Sequence, residues 1–244
     1  MIKFERVEVM NWENAIRGAR NPMNSWEKSD SKYGCQHGFC DMGIDCPEWY
    51  ECYGSGREFI IGPNDLALLM RLRNAGTDHR KFMRQIMVSV DITAPLYWWK
   101  EFDTYKVGTV ANSCSTMHKL TAKEFEESDF SFEFLRKCSR PRVIEEKLEE
   151  ANELRDAYLK FDTDENLRRN CEREGVTKKD IWYALIQLLP SSYNQLRTVT
   201  LNYEVLANMY AARKDHKLDE WLELCSWVTT LPYSQLITGG DGNE

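Results

Sequence analysis

Residues 84–93, RQIMVSVDIT, are the most strand-like run in the chain, and what surrounds them constrains the fold most. The run leads into Ala94-Pro95, and proline there suits the first turn of a helix extending to about Phe102. Upstream, His79-Arg80 follows Gly76; downstream come Trp98, Trp99, alternating charges and a Ser/Thr-rich turn ending near Lys119. A core strand does not require that density of polar, aromatic and basic residues. The segment predicts a strand feeding a helix whose far end faces a polar ligand.

The rest of the chain alternates helical and extended signals. Residues 2–10 alternate apolar and charged side chains (Ile2, Phe4, Val7, Val9), predicting a half-buried strand. Residues 12–20 predict a short helix stopped at Asn21-Pro22, and Gly62-Pro63-Asn64 starts another through Asn74, with Gly76 just past its end. Thr121 and Glu124 form a capping-box pattern ahead of a short acidic helix. Residues 140–160 predict a charged amphipathic helix, and Thr177 caps a helix that Pro190 terminates. Residues 202–214 and 217–229 carry apolar side chains at helical spacing. No internal repeat or linker interrupts this pattern, so one mixed α/β (α+β) domain is expected over residues 1–244.

Composition narrows the partners. The 244 residues carry a net charge of −7, with 29% charged and 42% apolar side chains. That balance argues against general nucleic-acid binding but leaves room for a local basic pocket that takes one phosphorylated small molecule. The charged, alternating N-terminus is unlike a signal peptide, and no run approaches the roughly 20 apolar residues of a membrane helix. The expectation is a cytoplasmic globular protein without a membrane or nucleic-acid partner. Cys35, Cys40, Cys46 and Cys52 crowd into a Gly-rich stretch, read as an exposed insertion over about 29–58. Their spacing, C-x4-C-x5-C-x5-C, matches a zinc knuckle only loosely and only in its first pair. They are the candidate metal ligands, set against incidental thiols, and no metal is assigned.

No Walker loop, G-x-G-x-x-G, H-E-x-x-H or G-x-S-x-G is present. What remains are polar residues on otherwise apolar segments. Asn202, Asn208 and Arg213 share one predicted helix. Arg recognises phosphate or carboxylate with two parallel bonds, and an Asn amide offers both a donor and an acceptor. On periodicity alone Asn202 could equally be the helix cap and Arg213 a solvated last-turn cation. His79-Arg80 could be a surface turn, and Lys106 with the hydroxyls of Thr109–Thr116 either a phosphate site or a solvated loop.

Taken in order, these segments resemble the flavin-dependent thymidylate synthase (ThyX) family over most of the chain outside the Cys-rich stretch. Ala15 to Arg20 resembles the early A-x-R-A-A-R helix, and His79 to Phe82 the G-H-x-x-P-F segment without its proline. Val90 to Phe102 resembles the strand and A-P-x-x-x-x-R-Q-W segment before the family signature. Leu189-Pro190, Asn202, Asn208 and Arg213 resemble the C-terminal pattern. The R-H-R signature itself is replaced by Thr104, Tyr105 and Lys106, its Ser by Cys114 and its later Arg by Thr116. Glu101 stands at the family's Gln and Glu204 at the Arg of its N-A-R segment.

The resemblance implies a central, mostly antiparallel sheet flanked by helices. It also implies a homotetramer that holds FAD and uses NADPH and methylenetetrahydrofolate to convert dUMP to dTMP. Carried over by position, His79, Asn202 and Asn208 would contact the flavin. Glu101, Lys106, Ser113, Ser115 and Arg213 would contact the nucleotide, with Lys106 and Arg213 suited to phosphate. No catalytic residue is assigned. A related pyrimidine nucleotide as substrate, or nucleotide binding without turnover on the same scaffold, are the alternatives.

Overall fold

A computed structural model of the chain describes residues 2–34, 58–138 and 142–240. The first half runs β1 (Lys3–Met10), α1 (Trp12–Arg20), β2 (Lys32–Gly34), β3 (Glu58–Ile60) and α2 (Pro63–Asn74). A 3-10 turn (Arg80–Arg84) then leads to β4 (Met87–Pro95), α3 (Leu96–Phe102), β5 (Val110–Ser113) and α4 (Thr116–Lys119). Four helices follow: α5 (Glu133–Cys138), α6 (Arg142–Lys160), α7 (Glu165–Arg173) and α8 (Lys178–Leu188). The chain closes with β6 (Asn194–Asn202), α9 (Tyr203–Arg213), α10 (Asp219–Thr229) and α11 (Gln235–Thr238). Helices and antiparallel sheet combine in the mixed class expected. The main sheet has the order β1-β4-β6-β5, and β2 pairs with β3 antiparallel, Tyr33 opposite Phe59.

The expected strand at 84–93 is displaced: its first residues form the 3-10 turn and the strand starts at Met87. Along β4, Val88, Val90, Ile92 and Ala94 are fully buried in strict alternation, because successive side chains of a strand point to opposite faces. The chain divides into two compact units, and the boundaries fall within β1, β4 and β6 and on either side of residues 107–109.

One unit comprises residues 1–6, 90–106 and 110–199. Its core is Leu120, Phe125, Phe130, Phe132, Ile144, Ala151 and Leu185, with α6 packed on α8. The rings of Phe130 and Phe132 stack at 4.8 Å. Asn152 satisfies both backbone groups of Phe125, accepting from its N–H at 2.8 Å and donating to its carbonyl at 3.0 Å. On α3, Trp98, Trp99 and Phe102 form a buried ring cluster with centroids 4.9–5.1 Å apart. Thr177 caps α8 as expected, and Asp180 completes a capping box by accepting from the Thr177 N–H. The pattern at Thr121 starts no helix; the capping box here belongs to Glu126 and Asp129 around a 3-10 turn. Without a periodic apolar run behind it, the four-residue signature at Thr121 has no helix face to bury.

The other unit comprises residues 7–89, 107–109 and 200–244. Here α9 packs on α10, α11 and the 3-10 turn, burying Tyr203, Leu206 and Met209. Trp12 meets Tyr203 and Tyr233 edge-on at 5.2 and 5.3 Å. Burial pushes the Tyr203 phenol up, and its hydroxyl donates to the Pro232 carbonyl at 2.5 Å. Ser29, Asp30 and Ser31, within the stretch read as an insertion, close on Asp65 of α2. Asp65 accepts from the hydroxyls of Ser29 and Ser31 at 2.6 Å, from the N–H groups of Asp30 and Ser31, and from Arg20 Nε at 2.6 Å. Burial opposes ionisation of Asp65, but the hydrogen bonds from Ser29, Ser31 and Arg20 outweigh it and hold the carboxyl below its usual range.

Cys35, Cys40, Cys46 and Cys52 lie outside the described residues. Among the described residues no group of His, Cys, Asp and Glu could hold a metal ion, and no helix is long and apolar enough to cross a membrane.

Candidate functional site

The candidate residues fall into two groups, one in each unit. Asn208 and Arg213 stand on α9, Asn202 immediately precedes it at the end of β6, and His79 immediately precedes the 3-10 turn that packs against that helix. Asn202 takes the capping role that periodicity left open. Its Oδ1 accepts from the Val205 N–H at 3.0 Å, and the residue is 8% exposed.

Glu204, in the first turn of α9, is buried and meets two guanidinium groups from the 3-10 turn. Arg80 Nε donates to Oε1 at 3.2 Å, and Arg84 donates through Nε to Oε2 and through Nη2 to Oε1 at 3.4 Å. Arg80 also donates to Asn208 Oδ1 at 3.0 Å, so the turn is fastened to two successive turns of the helix. Burial again works against the charge, yet the Arg84 and Arg80 hydrogen bonds hold the Glu204 carboxyl below its usual range. The same contact raises the Arg84 guanidinium.

Gly108 passes close over the start of α9. Its φ is +78°, and an added Cβ would lie 3.0 Å from both Asn202 Nδ2 and Val205 Cγ2. Beside it, the Thr109 hydroxyl is buried with no protein hydrogen-bond partner. At the far end of α9, Arg213 lies over the Trp221 ring at 4.4 Å, with Nη1 2.8 Å from His216 Nε2. His216 is itself oriented by the Leu218 N–H, which donates to Nδ1 at 3.2 Å.

In the other unit, Glu101 is half-buried on α3, while Lys106, Ser113 and Ser115 are exposed. The turn after α3 is set by Thr104, whose hydroxyl donates to the Glu101 carbonyl at 2.7 Å. Cys114, an exposed free thiol, donates its N–H to the Leu196 carbonyl at 2.9 Å.

Sequence reasoning missed Arg84, Asp103, Gln195 and Arg197. Arg84 lies 120 positions from its partner Glu204, and no local pattern signals such a pair. Gln195 and Arg197 lie on β6, a strand whose opening Asn194-Gln195 gives no extended signal. The one available hint is the doubled charge of Arg80 and Arg84 across a short apolar pair, Phe82-Met83.

No family model matches the sequence, and no curated protein matches it. Solved structures do. Thymidylate synthase X from Helicobacter pylori, crystallised with FAD and dUMP, aligns over 98% of both chains with a TM-score of 0.59 and 15% identity. A second crystal structure of the flavin-dependent enzyme from Helicobacter pylori, also with FAD and dUMP, gives 0.58 at the same coverage and identity. The chain has the fold of the ThyX thymidylate synthases.

Proposed function

We propose that this chain is a flavin-dependent enzyme acting on a pyrimidine nucleotide, and that its reaction is reductive methylation of dUMP to dTMP with methylenetetrahydrofolate and NADPH. In this reading it works in the cytoplasm as a homotetramer of one ThyX-like domain. The observation that carries it is the full-length likeness to enzymes crystallised with FAD and dUMP, together with the polar cluster gathered at the start of α9.

The residues present fit a flavin dinucleotide in chemical character. The cluster offers guanidinium and amide donors, Gly108 lets backbone approach closely, and the buried Thr109 hydroxyl lacks a protein partner. His79, Asn202 and Asn208 would hold the flavin, with Arg80 and Arg84 supplying positive charge that Glu204 fixes in place. A bound flavin supplies the hydride chemistry, and the protein supplies orientation and charge. Lys106 and Arg213 would bind phosphate, each charge-assisted bond contributing about 1.5–3 kcal/mol. Ser113 and Ser115 would donate to the nucleotide from their exposed positions.

Glu101 favours a second reading. An ionised carboxylate only accepts hydrogen bonds, whereas the Gln at the family position both donates and accepts. Glu101 therefore suits a base edge that presents an amino donor, such as that of a cytosine-type base. The test is direct. The protein reconstituted with FAD is incubated with dUMP, methylenetetrahydrofolate and NADPH, and dTMP is measured beside a thermal-shift panel of pyrimidine nucleotides. Formation of dTMP supports the reaction; stabilisation by another pyrimidine nucleotide alone favours the second reading; neither product nor stabilisation contradicts both.

A further inference from the structure

We propose that Arg197 is the positioning residue that ties together the two nucleotide-facing segments, Thr104–Lys106 and Ser113–Ser115; this rests on the nucleotide-site reading above. Gln195 and Arg197 are two apart on β6 and so share a face. Arg197 Cζ lies 4.2 Å from the centre of the buried Trp99 ring, on the helix that leads into the first segment. Arg197 Nη1 donates to Asp103 Oδ1 at 2.7 Å, immediately before Thr104. Its Nε donates to Gln195 Oε1 at 3.0 Å. Gln195 Nε2 in turn donates to the Cys114 carbonyl at 3.0 Å, in the middle of the second segment. The frame behind these contacts is itself hydrogen-bonded: Trp99 Nε1 donates to the Gln195 backbone carbonyl at 3.0 Å, and Cys114 N–H donates to the Leu196 carbonyl at 2.9 Å.

The chemistry makes arginine specific here. A guanidinium can only donate, so its Nε forces the oxygen of the Gln195 amide inward and turns the amide nitrogen toward Cys114. One planar group thereby stacks on Trp99, holds Asp103 and fixes which way Gln195 points. Lysine offers a single ammonium without the fork or the flat face and cannot do all three. Asp103 is half exposed, so the contact's effect is geometric rather than a large stabilisation.

The experiment combines amide hydrogen exchange with dUMP titration of FAD-reconstituted protein, for wild type, Arg197→Met, Arg197→Lys and Asp103→Ala. The expected result for Arg197→Met is exchange about tenfold faster in both segments, unchanged exchange around Leu120 and Leu185, and a dUMP Kd raised about tenfold with FAD retained. Arg197→Lys should restore protection to Thr104–Lys106 only, and Asp103→Ala, which removes the acceptor, should loosen that segment only. Asp103→Ala, at a half-exposed position, keeps the test informative if Arg197→Met does not fold. Unchanged exchange in both segments, or faster exchange with unaltered dUMP affinity, overturns the proposal. Wild type that binds no pyrimidine nucleotide overturns the nucleotide-site reading and with it the functional role of Arg197, while the exchange pattern separately decides whether Arg197 braces the two segments.

Discussion

Asp65 and Glu204 are buried carboxylates, and each is matched by several partners. Asp65 accepts from a guanidinium, two hydroxyls and two backbone N–H groups, which offsets the cost of its full burial. Replacing it with Ala leaves Arg20 buried without its counter-charge, and a loss of about 3–5 kcal/mol is expected in urea unfolding at constant m-value. Glu204 makes a pH-dependent contribution. Its folded carboxyl sits below the unfolded value of about 4, so its stabilisation is complete above that value and is lost as pH falls through the lower folded one. Glu204→Gln should therefore be less stable than wild type at neutral pH, with the gap closing below about pH 4. Parallel stability curves across that range would contradict the Arg80–Glu204–Arg84 account.

At the scale of elements, the start of α9 is where the structure is most specific. Asn202→Ala removes the cap and should cost about 0.5–2 kcal/mol in thermal or urea unfolding. Gly108→Ala forces a side chain into a left-handed backbone and against Asn202 and Val205, and should cost about 1–2 kcal/mol. Elements with punctuation were legible in the sequence. Pro63 opens α2, Gly76 follows its end, and Thr177 with Asp180 caps α8. β6 was not legible, because Asn194, Gln195 and Arg197 mask its buried residues, Val199 and Leu201, until the strand is nearly over. The same physics limited the site. Asn202, Asn208 and Arg213 could be placed on one helix from spacing alone, whereas Arg84 with Glu204, and Arg197 with Asp103, meet only once the chain has folded.

For the whole molecule, a fold shared over 98% of the chain coexists with 15% identity and no matching family model. Helix and sheet packing tolerate replacement of most side chains so long as pattern and volume persist. On the proposed function, Thr104, Tyr105, Glu101 and Glu204 are the departures that bear most on activity, because each puts a side chain of different charge or hydrogen-bonding character at a family position. The central proposal is that the chain binds a flavin and a pyrimidine nucleotide. The most direct test is the visible absorbance of the purified protein before and after incubation with FAD and dUMP, followed by removal of free ligand and identification of what is released. The account predicts a retained flavin spectrum that dUMP perturbs. A protein that retains no flavin under either condition would contradict it.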